Sequence, residues 1–158
     1  MLVTINTDAS WHPKENVAGF AFWAVCNDWK IQKCGGIRDQ VFDSSEAEAK
    51  AILNAVFVVL HQGKKNISRI IINTDSQAAI NLFTFPKAKM NSSQFLIKHK
   101  HIRSKFNVLT NNIKIEFRHV KGHSGTDTAR QWVNDWCDKQ AKAAMKNRLK
   151  KEQSNATK

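Results

Sequence analysis

The sequence predicts an α/β domain: a five-stranded mixed sheet, in the order 3-2-1-4-5, flanked by helices. Three observations lead there. Three strand-like runs open the chain with no helical stretch between them, the pattern of an antiparallel meander. Two further strand-like runs are each preceded by helical periodicity, which implies crossover connections and parallel pairing with the first strand. The 158 residues are 42% hydrophobic with only two prolines, enough to bury one core and too few breaks for a disordered chain.

Each element has its own signal. Leu2–Asp8 alternates as a strand. Val17–Cys26 and Lys30–Arg38 continue the meander, with Asn27-Asp28 at the turn. Ser44 and Ser45 offer N-caps for a helix to about Leu60, whose Ala47, Ala51, Ala55 and Val58/Val59 are spaced for burial, and Gly63 can end it. Ser68–Asn73 is a β-branched run, as expected of a strand buried on both faces. A helix from Ser76 to about Phe83 stops near Pro86. Gln94–Leu109 reads as one helix, Ile113–Val120 as a strand and Ala129–Lys150 as a final helix. The domain is expected to span 1–150, with 151–158 a polar, disordered tail. Setting the fourth strand beside the first follows connection rules alone, and other placements satisfy them too.

The net charge of +12 is concentrated. Lys87, Lys89, Lys98, Lys100, Arg103 and Lys105 form one basic stretch without an acid, and seven bases against Glu152 form another at 139–158. Either patch alone could be a solvated helix face. Together, on an otherwise neutral body, they favour a polyanionic partner, nucleic acid ahead of an anionic membrane surface. No apolar run reaches membrane-spanning length, the start lacks signal-peptide features, and three unpaired-looking cysteines suit a reducing cytoplasm.

Four carboxylates carry the functional reading. Asp8 ends the first strand and Asp75 the fourth, so parallel neighbours would bring both to one sheet edge, where open α/β sheets bind ligands. Glu48 lies in the first turn of the first helix, and Asp138 inside the last. Each has a plain structural explanation: Asp8 a turn, Glu48 a capping box with Ser45, Asp75 an N-cap, Asp138 an ion pair with Lys142. Glu46 and Asp135 compete with Glu48 and Asp138 for the same roles.

Five motifs in order outweigh those single explanations. Thr7-Asp8-Ala9-Ser10, Ala47-Glu48-Ala49-Lys50-Ala51-Ile52, Thr74-Asp75-Ser76-Gln77, His119-Val120-Lys121-Gly122-His123-Ser124-Gly125 and Asn134-Asp135-Trp136-Cys137-Asp138-Lys139-Gln140-Ala141 resemble the motifs of type 1 ribonuclease H, over about residues 1–145. The resemblance implies the ribonuclease H-like fold and a monomeric endonuclease that cuts the RNA strand of an RNA–DNA hybrid. It implies Mg²⁺, with Mn²⁺ as a substitute, in a two-ion mechanism leaving 5′-phosphate and 3′-hydroxyl ends. Asp8 would bridge the ions, with Glu48 and Asp75 on one and Asp138 on the other, and His123 would shuttle a proton or aid product release. Hard oxygen donors suit Mg²⁺, and such a cluster without metal should have at least one raised pKa.

Substrate contacts are expected from Ser10, Trp11 and His12, from Ser44 and Ser45, and from the basic Lys98 and Arg103. Two departures stand out. Trp11-His12-Pro13-Lys14-Glu15-Asn16 replaces the family's glycine-rich stretch, and Ser44-Ser45 its asparagine pair. The rival readings are a non-catalytic nucleic-acid-binding module and another nuclease on this scaffold, such as a junction resolvase.

Overall fold

The computed structural model describes residues 1–62, 66–120 and 129–156, without the side chain of Arg130. Strands β1 (Leu2–His12), β2 (Val17–Val25) and β3 (Lys30–Gly36) form the antiparallel meander. Helix α1 (Ser44–Gln62) follows, then β4 (Arg69–Thr74), α2 (Gln77–Thr84), α3 (Gln94–Lys98), α4 (Lys100–Leu109), β5 (Lys114–His119) and α5 (Ala129–Ala156). The sheet order is β3-β2-β1-β4-β5, as the sequence predicts.

β1 is longer than its alternation suggests. Its parallel pairing with β4 runs from Leu2↔Arg69 to Asn6↔Asn73, whereas its hairpin with β2 continues to His12↔Val17. Asp8 therefore sits inside β1 rather than at its end, just beyond the reach of β4. Asn16 closes that hairpin at a φ of 53°, a left-handed position that asparagine tolerates.

Strand alternation divides the sheet between two layers. Val3 and Ile5 pack with Phe22, Ala24, Ile70 and Ile72 against Ala49, Ile52, Val56 and Val59 of α1, over which α2 and α4 add Leu82, Ile102 and Phe106. On the opposite face Ala21 meets Cys137 and Ala141 of α5. Gly19 lets α5 approach, because a Cβ there would stand 2.5 Å from the Ala141 carbonyl oxygen. Trp23 wedges between Trp132 and Trp136 with ring centroids 5.3 and 5.4 Å apart, fixing the helix's first turns on the sheet.

The helix starts differ from the sequence reading. Asp43, not Ser44 or Ser45, caps α1, its Oδ1 accepting from the Glu46 amide at 2.7 Å. Ser76 caps α2, its Oγ accepting from the Ala79 amide at 3.1 Å. The predicted helix over 94–109 breaks at His99 (φ −108°, ψ 19°), whose buried ring turns toward α1. At the other end, α5 stays helical through Ala156, where the sequence predicts a disordered tail, with an Arg148–Glu152 ion pair of 2.9 Å across the junction.

Candidate active site

Three elements deliver the acidic cluster. Asp8 lies on the α5 face of β1, opposite Ala21 in the hairpin register. Asp75 follows the last residue of β4, and the parallel register that pairs Asn6 with Asn73 carries Asp75 alongside Asp8. Glu48 comes from the first turns of α1. One oxygen from each of the three lies within 4.8 Å of the others.

The local backbone explains how Glu48 gets there. Past Asn6, β1 has no β4 neighbour, so the Ala9 amide is left without a strand partner. It donates instead to Asp8 Oδ1 at 2.9 Å and Glu48 Oε1 at 3.2 Å. Glu48 is thus not the capping-box residue that S-x-x-E permits, and Ser76 relieves Asp75 of the cap.

Charge is crowded here. Burial, followed by the neighbouring Asp75, raises the Asp8 pKa to about 7. Burial, then Asp8 and Asp75, raises the Glu48 carboxyl well above its ordinary value. Glu48 Oε2 is buried without a hydrogen-bond partner among the described residues. An orphaned carboxylate oxygen beside two further hard donors fits a divalent cation such as Mg²⁺, which would relieve both the repulsion and the orphan.

Asp138 borders the cluster from α5 and adds to the field on Asp8. Lys142, one turn on, donates to Asp138 Oδ2 at 3.0 Å, so the surface pair that the spacing allows does form. Asp135 pairs outward with Lys139 at 3.0 Å. Glu46 is 200° around the helix from Glu48 at about 100° per residue, and it faces His99 instead. The geometry thus separates residues that spacing left in competition.

The expected substrate residues divide similarly. Ser10 and His12 lie on the outer half of β1 and Ser44 and Ser45 at the start of α1, all at least partly exposed. His12 Nδ1 accepts from the Glu15 amide at 3.2 Å. Trp11 is committed to the fold: its indole donates to the Val41 carbonyl at 2.7 Å and its ring packs on Ala18, Ile37 and Ala47. Lys98 stays on the surface, 5.4 Å over the Phe42 ring. Arg103 turns inward, donating to the Leu82 and Phe85 carbonyls and to Met90 Sδ, where it closes the end of α2. His123 lies outside the described residues.

Two supports of the site carry no role in the sequence reading, although one of them, His119, opens a quoted motif. His119 Nε2 donates to the Asp75 carbonyl at 3.0 Å, a contact set by the Thr74↔His119 register of two parallel strands. Beneath the cluster, Asn73 Nδ2 donates to Asn6 Oδ1 at 3.1 Å in full burial. Two polar residues inside otherwise β-branched strands were the available signal.

Known proteins place this architecture. The RNase H family model matches residues 2–146. No curated protein matches by sequence. Among solved structures, the N-terminal RNase H domain of a Mycobacterium tuberculosis protein is similar at 14% identity, with a TM-score of 0.67 over 96% of this chain and 98% of that one. RNase H1 of the archaeon Halobacterium salinarum is 17% identical, with a TM-score of 0.63 over 93% and 99%. LC11-RNase H1, solved with an RNA/DNA hybrid, is 15% identical, with a TM-score of 0.61 over the same shares. Identities this low carry the fold alone, but the family match spans nearly the whole chain and includes every residue of the acidic cluster: the chain belongs to the ribonuclease H family of enzymes.

Proposed function

We propose that the chain hydrolyses the RNA strand of RNA–DNA hybrids by a two-metal-ion mechanism that leaves 5′-phosphate and 3′-hydroxyl ends. The observation that carries this reading is the convergence of Asp8, Glu48 and Asp75 from three separate elements on one rim of the sheet. A hybrid bound to LC11-RNase H1 on the same fold supports the substrate class.

In this reading Asp8, Glu48, Asp75 and Asp138 hold the ions, Mg²⁺ or Mn²⁺. Bound divalent ions supply a water nucleophile at neutral pH and charge stabilisation at the leaving 3′-oxygen. The chain's own part is placement. The Ala9 amide holds one oxygen each of Asp8 and Glu48, and His119 holds the backbone of Asp75. His123 serves as the proton shuttle or product-release aid that its motif implies. Ser10, His12, Ser44 and Ser45 border the rim and are suited to the 2′-hydroxyls that distinguish RNA from DNA. Lys98 and the exposed lysines around it contact phosphates. The enzyme acts as a monomer through residues 1–150, and its three free cysteines suit the reducing cytoplasm. No helix among the described residues is long and apolar enough to cross a membrane.

Labelled hybrid, double-stranded RNA and a DNA four-way junction, each incubated with Mg²⁺, Mn²⁺ or EDTA, test this directly. Cleavage confined to the hybrid, lost in EDTA and lost in Asp8→Asn while hybrid binding persists, is expected. Cutting of the junction at a comparable rate, or binding without cleavage in every metal, would replace it with the resolvase or binding-module reading.

A further inference from the structure

A second cluster lies behind the first. Asp43 and Glu46 stand at the start of α1, and His99 occupies the break between α3 and α4. One ligand atom from each lies within 4.8 Å of the other two. Glu46 and His99 are only 3% and 2% exposed. Yet neither ring nitrogen of His99 has a hydrogen-bond partner among the described residues. Burying a polar ring with neither nitrogen bonded is costly, so the arrangement needs an explanation.

The simplest explanation, a His99–Glu46 ion pair, fits poorly. Nε2 and Oε1 are 3.8 Å apart, beyond hydrogen-bond distance. Burial also outweighs the nearby carboxylates and holds His99 toward its neutral form, which is the ligand form of imidazole. Two donors on one zinc-sized ion, each at roughly 2.0–2.1 Å, stand about 3.4 Å apart in tetrahedral geometry. The observed gap is close to that span.

We propose that Asp43, Glu46 and His99 form a second cation site, distinct from the acidic cluster, that takes one borderline divalent transition ion of the zinc class. An imidazole with two carboxylates selects such an ion over Mg²⁺, which prefers all-oxygen donors. Asp43 is half-buried, so a water can complete the coordination from outside. Lys50 Nζ stands 3.2 Å from Glu46 Oε2, on the oxygen turned away from the one nearest His99. Its ammonium offsets one of the two carboxylate charges in the absence of an ion and competes with it. The ion would tie the first turn of α1, directly before Glu48, to the break between the basic helices.

The test uses the full chain carrying Asp8→Asn and Asp75→Asn, so that binding at the acidic cluster is suppressed and no activity is read. After chelation and dialysis, Zn²⁺ is titrated calorimetrically and Co²⁺ by visible absorption. Expected are one ion per chain, d–d bands of a four-coordinate Co²⁺, and a rise in melting temperature on adding Zn²⁺ but not Mg²⁺. Asp43→Asn retains the helix cap and should weaken binding at least tenfold; His99→Ala should abolish it. Lys50→Met should tighten it severalfold, an effect opposite to that expected if Lys50 and Glu46 form only an ion pair. Equal Zn²⁺ binding with and without His99, or no binding in a folded chain, overturns the proposal. Neither result bears on hybrid cleavage.

Discussion

Replacing Asp8 by asparagine should raise the stability of the metal-free protein at alkaline pH. A carboxyl with an ordinary value of 3.8 titrates at about 7 in the folded chain. The folded state therefore keeps its proton over a range where the unfolded state has lost it, and stability falls as pH rises from 3.8 toward 7. Above 7 the loss is complete. Linkage puts the whole loss at roughly 4 kcal/mol, of which about 3 kcal/mol falls between pH 5 and pH 8. Asparagine keeps an acceptor for the Ala9 amide, so the substitution removes the charge with little else. Urea unfolding in EDTA at both pH values measures the effect. Asp8→Asn should flatten the pH dependence by most of that figure and be the more stable protein at pH 8. In excess Mg²⁺ the order should reverse, because the wild-type cluster then gains ligand-linked stability that the variant lacks. An unaltered pH dependence, or an Asp8→Asn protein less stable at pH 8 in EDTA, would refute the view that burial and Asp75 strain this carboxylate.

Two further substitutions separate scaffold from interface. Arg103→Ala strands the Leu82 and Phe85 carbonyls, so a loss of about 1–3 kcal/mol in urea unfolding is expected. The salt dependence of hybrid binding should stay unchanged, whereas Lys98→Ala should lower its slope by about one. Gly19→Ala drives a methyl into the Ala141 carbonyl, and should cost at least about 1–3 kcal/mol. Because α5 must shift to admit it, hybrid cleavage in Mg²⁺ should fall too, measured on protein that remains folded.

Local pattern determined much of this molecule. Strand alternation in β1 and β2, the β-branched run of β4 and the alanine spacing of α1 each record burial. Burial is set by periodicity within a few residues, so the strands and most of the helices are legible in the chain alone, whereas connection rules allowed the observed sheet order among others. The ordered motifs likewise single out the acids as candidates, because each motif is contiguous, and the fold brings Asp8, Glu48 and Asp75 together. Tertiary structure decided what depends on partners distant in sequence. It ran β1 on to His12, since its pairing is determined by β2 as well as β4. It set Glu48 beside Asp8 and Asp75 and Glu46 against His99, because opposite faces of one helix meet different neighbours. Arg103 was turned from a phosphate contact into the closure of α2, and a single predicted helix was broken at His99, whose ring is buried against Glu46. Hydrogen-bonding groups take whichever partner long-range packing delivers within about 3 Å, and no short-range pattern encodes that delivery.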